Sequence, residues 1–329
     1  MDPISQGVVG AMLAQCVAPR AQRPGVTLVG ALSAMSADLD VLIRSDSDPL
    51  LHLDFHRHFT HSLLFAPIGG LLAALILWPF VRRFTGWSST LRASVAGYAT
   101  AGLLDACTSY GTHLLWPFSD ERIAWSCISI VDPVFTLVLL VLVGLACRRH
   151  RRWLPWVALS FAASYLSLGV VQRDRAEAAL VEHARERGHS PSRVTVKPTI
   201  GNLILWRGIY RDADTWHVAA VRAGAGAPMV TEGDSAPALD GPPPGIPSQS
   251  VVADDVERFR RFSDGTLCRV PEHPTRITDL RYARLPHRIA PLWAIDYDPQ
   301  HPEQHVRFET FRKLSPDERD EFLDLLLGR

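Results

Sequence analysis

Residues 63–81 read LLFAPIGGLLAALILWPFV and contain no Asp, Glu, Lys or Arg. Three further apolar stretches follow, two of them with a single acidic residue inside: 92–107, 128–147 and 153–172. A helix needs roughly 20 residues to cross about 30 Å of hydrocarbon. The four stretches therefore predict four membrane-spanning helices, and a bundle of buried helices in a soluble protein is the alternative.

The composition agrees with a membrane protein. The 329 residues include 34 Lys plus Arg and 34 Asp plus Glu, so no basic excess favours nucleic acid as a partner. Mean hydropathy is +0.06, with apolar residues concentrated in the first half and charged residues in the second. The five cysteines lie far apart and fit neither a disulfide framework nor a CxxC metal site.

Two N-terminal stretches and the arginine-rich connections predict the topology. Residues 7–18 and 26–37 are apolar but short, so we expect them to be helices that lie in the membrane interface or re-enter it, and a fifth span in this region is the alternative. Arginines cluster in the first and third connections between spans, at positions 82, 83, 92, 148, 149, 151 and 152. The positive-inside rule places these connections in the cytoplasm. Everything after residue 172 is then expected on the periplasmic side.

After residue 172 the sequence changes to that of a small soluble α+β domain. A charged helix is predicted over 173–187, a short helix over 254–262 and a last helix from Ser315. Strands are predicted at 193–198, 203–210, 216–222, 266–270, 277–283 and 290–297. Residues 223–250 are rich in Gly, Pro, Ala and Ser and predict a flexible loop. The predicted domains are a membrane domain, 1–172, and a soluble domain, 173–329.

The densest group of chemically active side chains comes before the first predicted span. Four of the 13 histidines fall within ten residues, and carboxylates precede them: Asp38, Asp40, His52, Asp54, His56, His58 and His61. Carboxylate and imidazole groups are ligands that Zn²⁺, Mn²⁺ and iron accept. The spacing is not that of HExxH. The segment predicts a metal site, with a histidine-rich anchor at the membrane edge as the alternative.

Two acidic residues lie inside the predicted spans. A carboxylate within a membrane helix is unfavourable unless it is paired, so Asp105 is a functional candidate, followed by Thr108, Ser109 and His113. A structural hydrogen bond to a neighbouring helix is the alternative for Asp105. Asp132 precedes a proline, so it is either functional or a helix N-cap. We expect Thr60 to be the N-cap of the first span.

Several short motifs occur in an order that resembles a known family. They are MDPI at 1–4, ADLD at 37–40, HRHFTHS at 56–62, LLD at 103–105, TSYGT at 108–112, LWPFS at 115–119 and VDP at 131–133. Together they resemble the membrane-bound metal-dependent hydrolases, bacterial integral membrane proteins that include a member induced by DNA damage. The resemblance covers roughly residues 1–145. It is weaker in the second half, where NLILW at 202–206 and DLRY at 279–282 are similar to longer members.

The resemblance implies a ligand set and catalytic roles. Asp38 or Asp40, together with His56, His61 and Asp105, would hold a divalent metal, Zn²⁺ first and Mn²⁺ as the alternative. We assign Asp38 as the ligand and Asp40 as the group that accepts a proton from water. Arg57 would stabilise negative charge on the substrate, or else it is an arginine that extends to the interface. Family members usually carry a histidine at the position of Gln6 and a small residue at that of His58.

The expected function is that of a multi-pass inner-membrane hydrolase that requires a divalent metal. Its substrate would be a lipid, or a lipid-linked ester or phosphoester, at the outer face of the membrane. One alternative is a metal-binding membrane protein without enzymatic activity, whose C-terminal domain binds a partner. Another is a transporter with Asp105 and Asp132 as ion sites, against which the sequence shows no visible inverted repeat.

Overall fold

The chain divides into two compact units. In the computed structural model, the described residues are 1–19, 22–149 and 151–329. The first unit comprises Met1–Leu42, Phe55–Val171 and Ile200–Asn202. The second comprises Ile43–Asp54, Gln172–Thr199 and Leu203–Arg329. The first unit is helical and the second contains the β-sheets.

The helices of the first unit are joined by short irregular segments. They are α1 (Pro3–Val17), α2 (Arg23–Ser36), the end of α3 (Leu51–Phe55), α4 (Ala66–Val81), α5 (Trp87–Ala106), α6 (Pro133–Arg149) and the first part of α7 (Leu154–Glu186). Two 3₁₀ turns, Ala37–Leu42 and Phe59–His61, come after α2 and before α4. These two turns carry three of the acidic and histidine side chains that the sequence singles out, Asp38, Asp40 and His61.

Glycines bring α1, α2 and α5 into close contact. A Cβ atom on Gly30 would lie 2.5 Å from the carbonyl oxygen of Gly10 and 2.4 Å from the Cβ of Ala14. On Gly97 it would lie 2.4 Å from the carbonyl oxygen of Gly30. Small residues at such crossings let helix backbones approach closely, which is how membrane helices gain packing without a hydrophobic driving force.

Two helical segments are long and apolar enough to cross a membrane, Arg23–Leu42 and Leu154–Glu186. The pair Leu51–His61 and Ala66–Val81, bent by 88°, would be a third span if it acts as one. The prediction of four spans is therefore not reproduced in the described part of the chain. α6 has only 17 residues, and α5 buries several hydroxyl groups. Residues 26–37, expected at the interface, lie within a candidate span because the helix continues through Leu42.

The second unit contains two four-stranded antiparallel sheets. The first has the order β1 (Arg193–Pro198), β2 (Leu205–Asp212), β3 (Thr215–Arg222) and β4 (Met229–Pro237). The second has the order β5 (Leu267–Val270), β6 (His273–Asp279), β7 (Trp293–Asp296) and β8 (Arg307–Thr310). The end of α7, α8 (Val251–Phe262) and α9 (Pro316–Leu327) complete the unit.

Four elements of this unit differ from those that the sequence predicts, and one of them is β6, which spans His273–Asp279 where a strand over 277–283 is predicted. β4 lies inside the predicted flexible loop 223–250. It is a largely exposed edge strand with no hydrophobic alternation, and only Val230 and Thr231 in it are β-branched. β8 has four residues and was not predicted. The charged helix predicted over 173–187 is the continuation of the preceding apolar helix in α7, because no proline interrupts residues 156–190.

Two buried cations lie side by side in the first sheet. Lys197 on β1 pairs in register with Arg207 on β2, and both are almost fully buried. Arg207 donates hydrogen bonds to the carbonyl oxygens of Leu280 (2.7 Å) and Pro286 (2.8 Å). The Nζ of Lys197 lies 2.9 Å from the centroid of the Tyr282 ring and has no hydrogen-bond partner among the described residues. Burial lowers the pKa of Lys197 well below its usual range.

Candidate metal centre

An imidazole lies between two carboxylates in the first unit. The Nε2 atom of His61 is 3.1 Å from Oδ1 of Asp38 and 3.1 Å from Oδ2 of Asp105. One ligand atom from each of the three residues lies within 4.8 Å of the others. The side chains of His61 and Asp105 are fully buried, and that of Asp38 is 17% exposed. Two buried carboxylates this close require positive charge nearby.

A glycine explains how His61 reaches Asp105. A Cβ atom on Gly102 would lie 2.0 Å from the carbonyl oxygen of His61, a distance that no side chain allows. The turn Phe59–His61 can therefore rest directly on α5. Gly102 and Asp105 are three residues apart and share a helix face, so the same contact brings His61 to the carboxylate.

Asp40 connects the two imidazoles. Its Oδ1 is 2.8 Å from Nδ1 of His56. Its Oδ2 accepts hydrogen bonds from the backbone N–H of Arg57 (2.8 Å) and the hydroxyl of Thr60 (2.7 Å), and lies 3.3 Å from Nδ1 of His61. A carboxylate bonded to a histidine in this way fixes the orientation of the ring. Both oxygens of Asp40 are thus engaged.

The prediction that Thr60 caps the first span is wrong. α4 begins at Ala66, its N-cap residue is Phe65, and no side-chain oxygen caps it. The hydroxyl of Thr60 instead donates to Asp40.

His56 is the more accessible imidazole. Its side chain is 23% exposed, whereas those of His61 and Asp40 are fully buried. His56, Asp38 and Asp40 form a second set of groups whose ligand atoms lie within 4.8 Å of one another. Asp38 is common to both sets, so it lies close to both imidazoles.

Arg57 is buried beside Asp105. Its Nε lies 3.1 Å from Oδ2 of Asp105, and its Nη1 donates to the hydroxyl of Thr108 at 3.3 Å. The guanidinium carbon lies 4.7 Å from the ring centroid of Tyr110, in a cation–π contact. This guanidinium is a fixed positive charge next to the carboxylates.

The backbone of Arg57 is held in an uncommon conformation. Its φ is 60°, in the left-handed region that non-glycine residues rarely occupy. The N–H donates to Asp40, while the carbonyl oxygen accepts hydrogen bonds from the N–H of His113 (3.1 Å) and the hydroxyl of Thr112 (2.9 Å). Such a conformation persists only where its surroundings determine it, as at many functional sites.

Gln6 reaches the same carboxylate from α1. Its Nε2 donates to Oδ2 of Asp105 at 3.2 Å, and the amino group of Met1 contacts the other oxygen. The Oε1 of Gln6 is buried and has no hydrogen-bond partner among the described residues. A buried carbonyl oxygen without a donor, on a side chain that contacts a buried carboxylate, is chemically suited to a cation.

A model of the YdjM inner membrane protein family matches residues 1–176. The chain belongs to this family. Neither the curated proteins nor the solved structures gave a match to the chain. The YdjM family and the apolar helices both indicate association with the inner membrane.

All six predicted site residues lie within the YdjM match, and the structure brings them together: Asp38, Asp40, His56, Arg57, His61 and Asp105. Tyr110, which contacts Arg57, was missed as a site residue. Its signal was the TSYGT segment, in which the tyrosine is flanked by small residues.

Other candidates of the sequence cluster lie elsewhere. Asp54 belongs to the second unit, where it accepts a 2.6 Å hydrogen bond from Arg258. His52 packs edge-on against Phe308 in the same unit. Asp132 is the helix cap that its proline suggests: its Oδ1 accepts from the backbone N–H of Phe135 at 3.0 Å. Spacing along the chain could not separate these residues from the metal centre.

The remaining histidines of the segment form an aromatic group. The rings of His58 and His113 lie 4.6 Å apart, and that of Trp116 is 5.7 Å from His58. Burial, followed by the charge of Arg122, lowers the pKa of His113 to about 3, so this ring is neutral at physiological pH.

Proposed function

We propose that this YdjM family member is a multi-pass membrane hydrolase that depends on a divalent metal and cleaves an ester or phosphoester. The observation that carries the proposal is the convergence of Asp38, His61 and Asp105, with ligand atoms within 4.8 Å of one another. Beside them lies a second imidazole, His56, bonded to Asp40. A ligand set and an oriented base in one place are what metal-assisted hydrolysis requires.

The donor set fits Zn²⁺, and Mn²⁺ is the alternative. Two carboxylates and one imidazole would supply three protein ligands, the number that catalytic zinc sites use while keeping a position for water or substrate. The unpartnered Oε1 belongs to Gln6, whose amide nitrogen contacts Asp105, so it is a further oxygen close to this carboxylate. When bound, a divalent ion lowers the pKa of its water towards about 7 and polarises the bond under attack.

We assign proton transfer to His56. Both oxygens of Asp40 are engaged with neighbouring groups, so Asp40 suits the role of a positioning residue. The contact with Asp40 at Nδ1 orients the His56 ring and leaves Nε2 without a hydrogen-bond partner among the described residues. His56 is also the more exposed imidazole, as a group that must reach a substrate should be.

Arg57 would stabilise negative charge. Its guanidinium is held beside Asp105 and over Tyr110, so it needs no reorganisation when charge develops on a bound phosphoryl or acyl oxygen. In the resting state it offsets part of the charge of Asp105.

Exposed leucines next to the site favour a lipid substrate. Leu39 (60% exposed) and Leu42 (74%) flank the acidic pair, and Leu63 (44%) and Leu64 (52%) follow His61. Apolar side chains in such numbers at the rim of a polar site would contact acyl chains or the bilayer. The proposed substrate is thus a lipid, or a lipid-linked ester or phosphoester, at the outer face of the inner membrane.

The test is to purify the full chain in detergent without a metal-affinity tag. Bound metal is measured by mass spectrometry, and hydrolysis by release of product from phospholipid and lipid-phosphate substrates. We expect one Zn²⁺ or Mn²⁺ at this centre, lost in His61→Ala and Asp105→Asn. His56→Ala should keep the metal and lose turnover. His301→Ala, an exposed histidine of the second unit, is the matched control.

Absence of metal from the well-folded protein after reconstitution would overturn the proposal. A retained metal without hydrolysis, whose loss in His61→Ala lowers the unfolding temperature, would assign a structural metal to this centre instead. The full burial of His61 and Asp105 makes that outcome the second candidate.

A further inference from the structure

A second group of potential ligands lies in the second unit. His189, Asp212 and His217 each offer one ligand atom within 4.8 Å of the others. They come from three places in the chain: the segment after α7, the last residue of β2 and the interior of β3. All three residues are partly exposed. This group is outside the YdjM match, which ends at residue 176.

The two imidazoles are held in place by Tyr210. The hydroxyl of Tyr210 is 2.9 Å from Nδ1 of His189 and also accepts a hydrogen bond from Nη1 of Arg187 at 3.2 Å. The Tyr210 ring stacks on His217, with centroids 4.9 Å apart and planes at 16°. The centroids of the two imidazoles lie 4.6 Å apart. A hydrogen bond on one ring nitrogen is the usual way in which proteins orient a metal-binding histidine.

Asp212 is fixed by the backbone beside His189. Its Oδ1 accepts a 2.9 Å hydrogen bond from the N–H of Ser190. Tyr210 pairs with His217 across the β2–β3 hairpin, and Asp212 is two residues beyond Tyr210, so it faces the same side of the sheet. Among the described residues, no hydrogen bond joins Asp212 to either imidazole, although their ligand atoms are close. An ion bound between the three groups would account for ligand atoms that lie close together without a hydrogen bond between Asp212 and either imidazole.

We propose that His189, Asp212 and His217 form a second divalent-metal site, selective for borderline ions such as Zn²⁺. Two imidazoles and one carboxylate are a ligand set that leaves a fourth position for water. Carbonyl-rich sites favour Ca²⁺ or Mg²⁺, whereas imidazoles favour Zn²⁺ and Co²⁺. The site is independent of the centre in the first unit, since it shares no residue with it.

The experiment titrates Co²⁺ into the full-length, metal-stripped protein in detergent and follows the visible absorption of the bound ion. The double variant His61→Ala/Asp105→Asn disables the first centre, so its remaining binding reports the second site alone. We expect one equivalent of Co²⁺ in this background, displaced by Zn²⁺. Adding His189→Ala or Asp212→Asn should weaken binding at least about tenfold, since even indirect partners of a metal site are worth that much.

Two controls separate binding from folding. His301→Ala removes an exposed histidine that also has an aspartate partner, Asp298, and should leave binding unchanged. Asp212→Asn keeps the oxygen that accepts from Ser190, so its circular dichroism without metal should match that of the parent. Saturating Zn²⁺ should raise the unfolding temperature of the parent and not that of Asp212→Asn.

The proposal is overturned if the double variant binds no Co²⁺, or if His189→Ala and Asp212→Asn bind it as tightly as their parent. Both results are independent of the hydrolase proposal, which concerns the first centre only. If His61→Ala loses the metal of the first centre and keeps the ion at His189, Asp212 and His217, the second site is supported whether or not hydrolysis is observed.

Discussion

Gln6 is the residue at which this chain differs most informatively from the family it resembles. The structure places its amide against Asp105, with the carbonyl oxygen unpartnered among the described residues. An amide oxygen is a weaker ligand than an imidazole for a borderline ion such as Zn²⁺. A histidine at this position would therefore offer the proposed metal a better donor.

We predict that Gln6→His tightens Zn²⁺ binding at the first centre by about tenfold or more. A tenfold change in affinity corresponds to about 1.4 kcal/mol, which one added ligand interaction can supply. Competition with a calibrated chelator measures the change. Gln15→His is the control, because Gln15 is buried on the same helix but donates to Thr27. Equal affinities in the wild type and Gln6→His would contradict a metal at Asp105.

Lys197 is a residue whose charge the fold disfavours. Because burial lowers its pKa, the unfolded chain binds a proton that the folded chain lacks at any pH between the lowered pKa and the ordinary value of 10.5. The free energy of unfolding should therefore rise with pH across this window. At pH values below the lowered pKa, Lys197 is charged in the folded state too, and the free energy of unfolding is reduced by the full penalty of burying that charge.

Lys197→Met should remove this effect. We expect the second unit to become more stable by about 1–3 kcal/mol, the usual penalty of a buried polar group without a partner. The gain should be largest at low pH and smallest at alkaline pH. Calorimetry of the full chain in detergent, at a series of pH values, measures it. A variant with the same unfolding temperature as the wild type at every pH would show that the ammonium is solvated.

At the scale of elements, the contact between α5 and the Phe59–His61 turn positions His61 in the proposed metal centre. Gly102→Ala would place a methyl group 2.0 Å from the carbonyl oxygen of His61, so the turn must move away from the helix. We predict that this variant inserts in the membrane and keeps its helix content but binds Zn²⁺ at least about tenfold more weakly.

Gly144→Ala on α6 is the matched control, since a Cβ atom there would meet nothing within 4 Å. Metal content and affinity are compared for the two variants in the same detergent. If both bind metal as the wild type does, the position of His61 is not set by this contact.

Elements were predictable from the sequence where a local pattern marks them. β1 has the predicted bounds, and α9 begins after Ser315 with a capping box between Ser315 and Glu318. β4 could not be predicted, because an exposed edge strand owes its form to pairing with β3 and not to its own residues. Of the four predicted spans, the described residues show two helical segments long and apolar enough to cross a membrane, or three with the bent pair, so the number of spans stays a prediction.

The sequence predicted a set of residues that the structure brings together, and their roles stay predictions. Ligand types and their density pointed to Asp38 and His61, Asp105 stood out as a carboxylate inside a predicted span, and the family resemblance grouped the three. Which carboxylate binds and which one orients depends on distances that spacing does not encode, as the contacts of Asp40 show. The separation of Asp54 from the cluster depends on Arg258, more than 200 positions away in the chain.

For the whole molecule, the family match and the β-rich unit raise different questions. The match covers 1–176, which includes the first centre, while the second candidate site lies beyond it. The two proposed centres share no residue, so a variant can remove one and leave the other, and metal content per chain would then distinguish two ions from one.

The burial of Lys197 also gives the molecule a natural reporter of orientation. The sequence contains two lysines, and of these Lys313 is exposed whereas Lys197 is not. An amine reagent that cannot cross lipid should therefore modify Lys313 from one side of the membrane only. With the second unit in the periplasm, we expect mass spectrometry to find the modified Lys313 peptide in intact spheroplasts and not in inverted vesicles. Lys313→Arg is the negative control, because it removes the amine that the reagent modifies. Labelling of Lys313 only in inverted vesicles would place this unit in the cytoplasm.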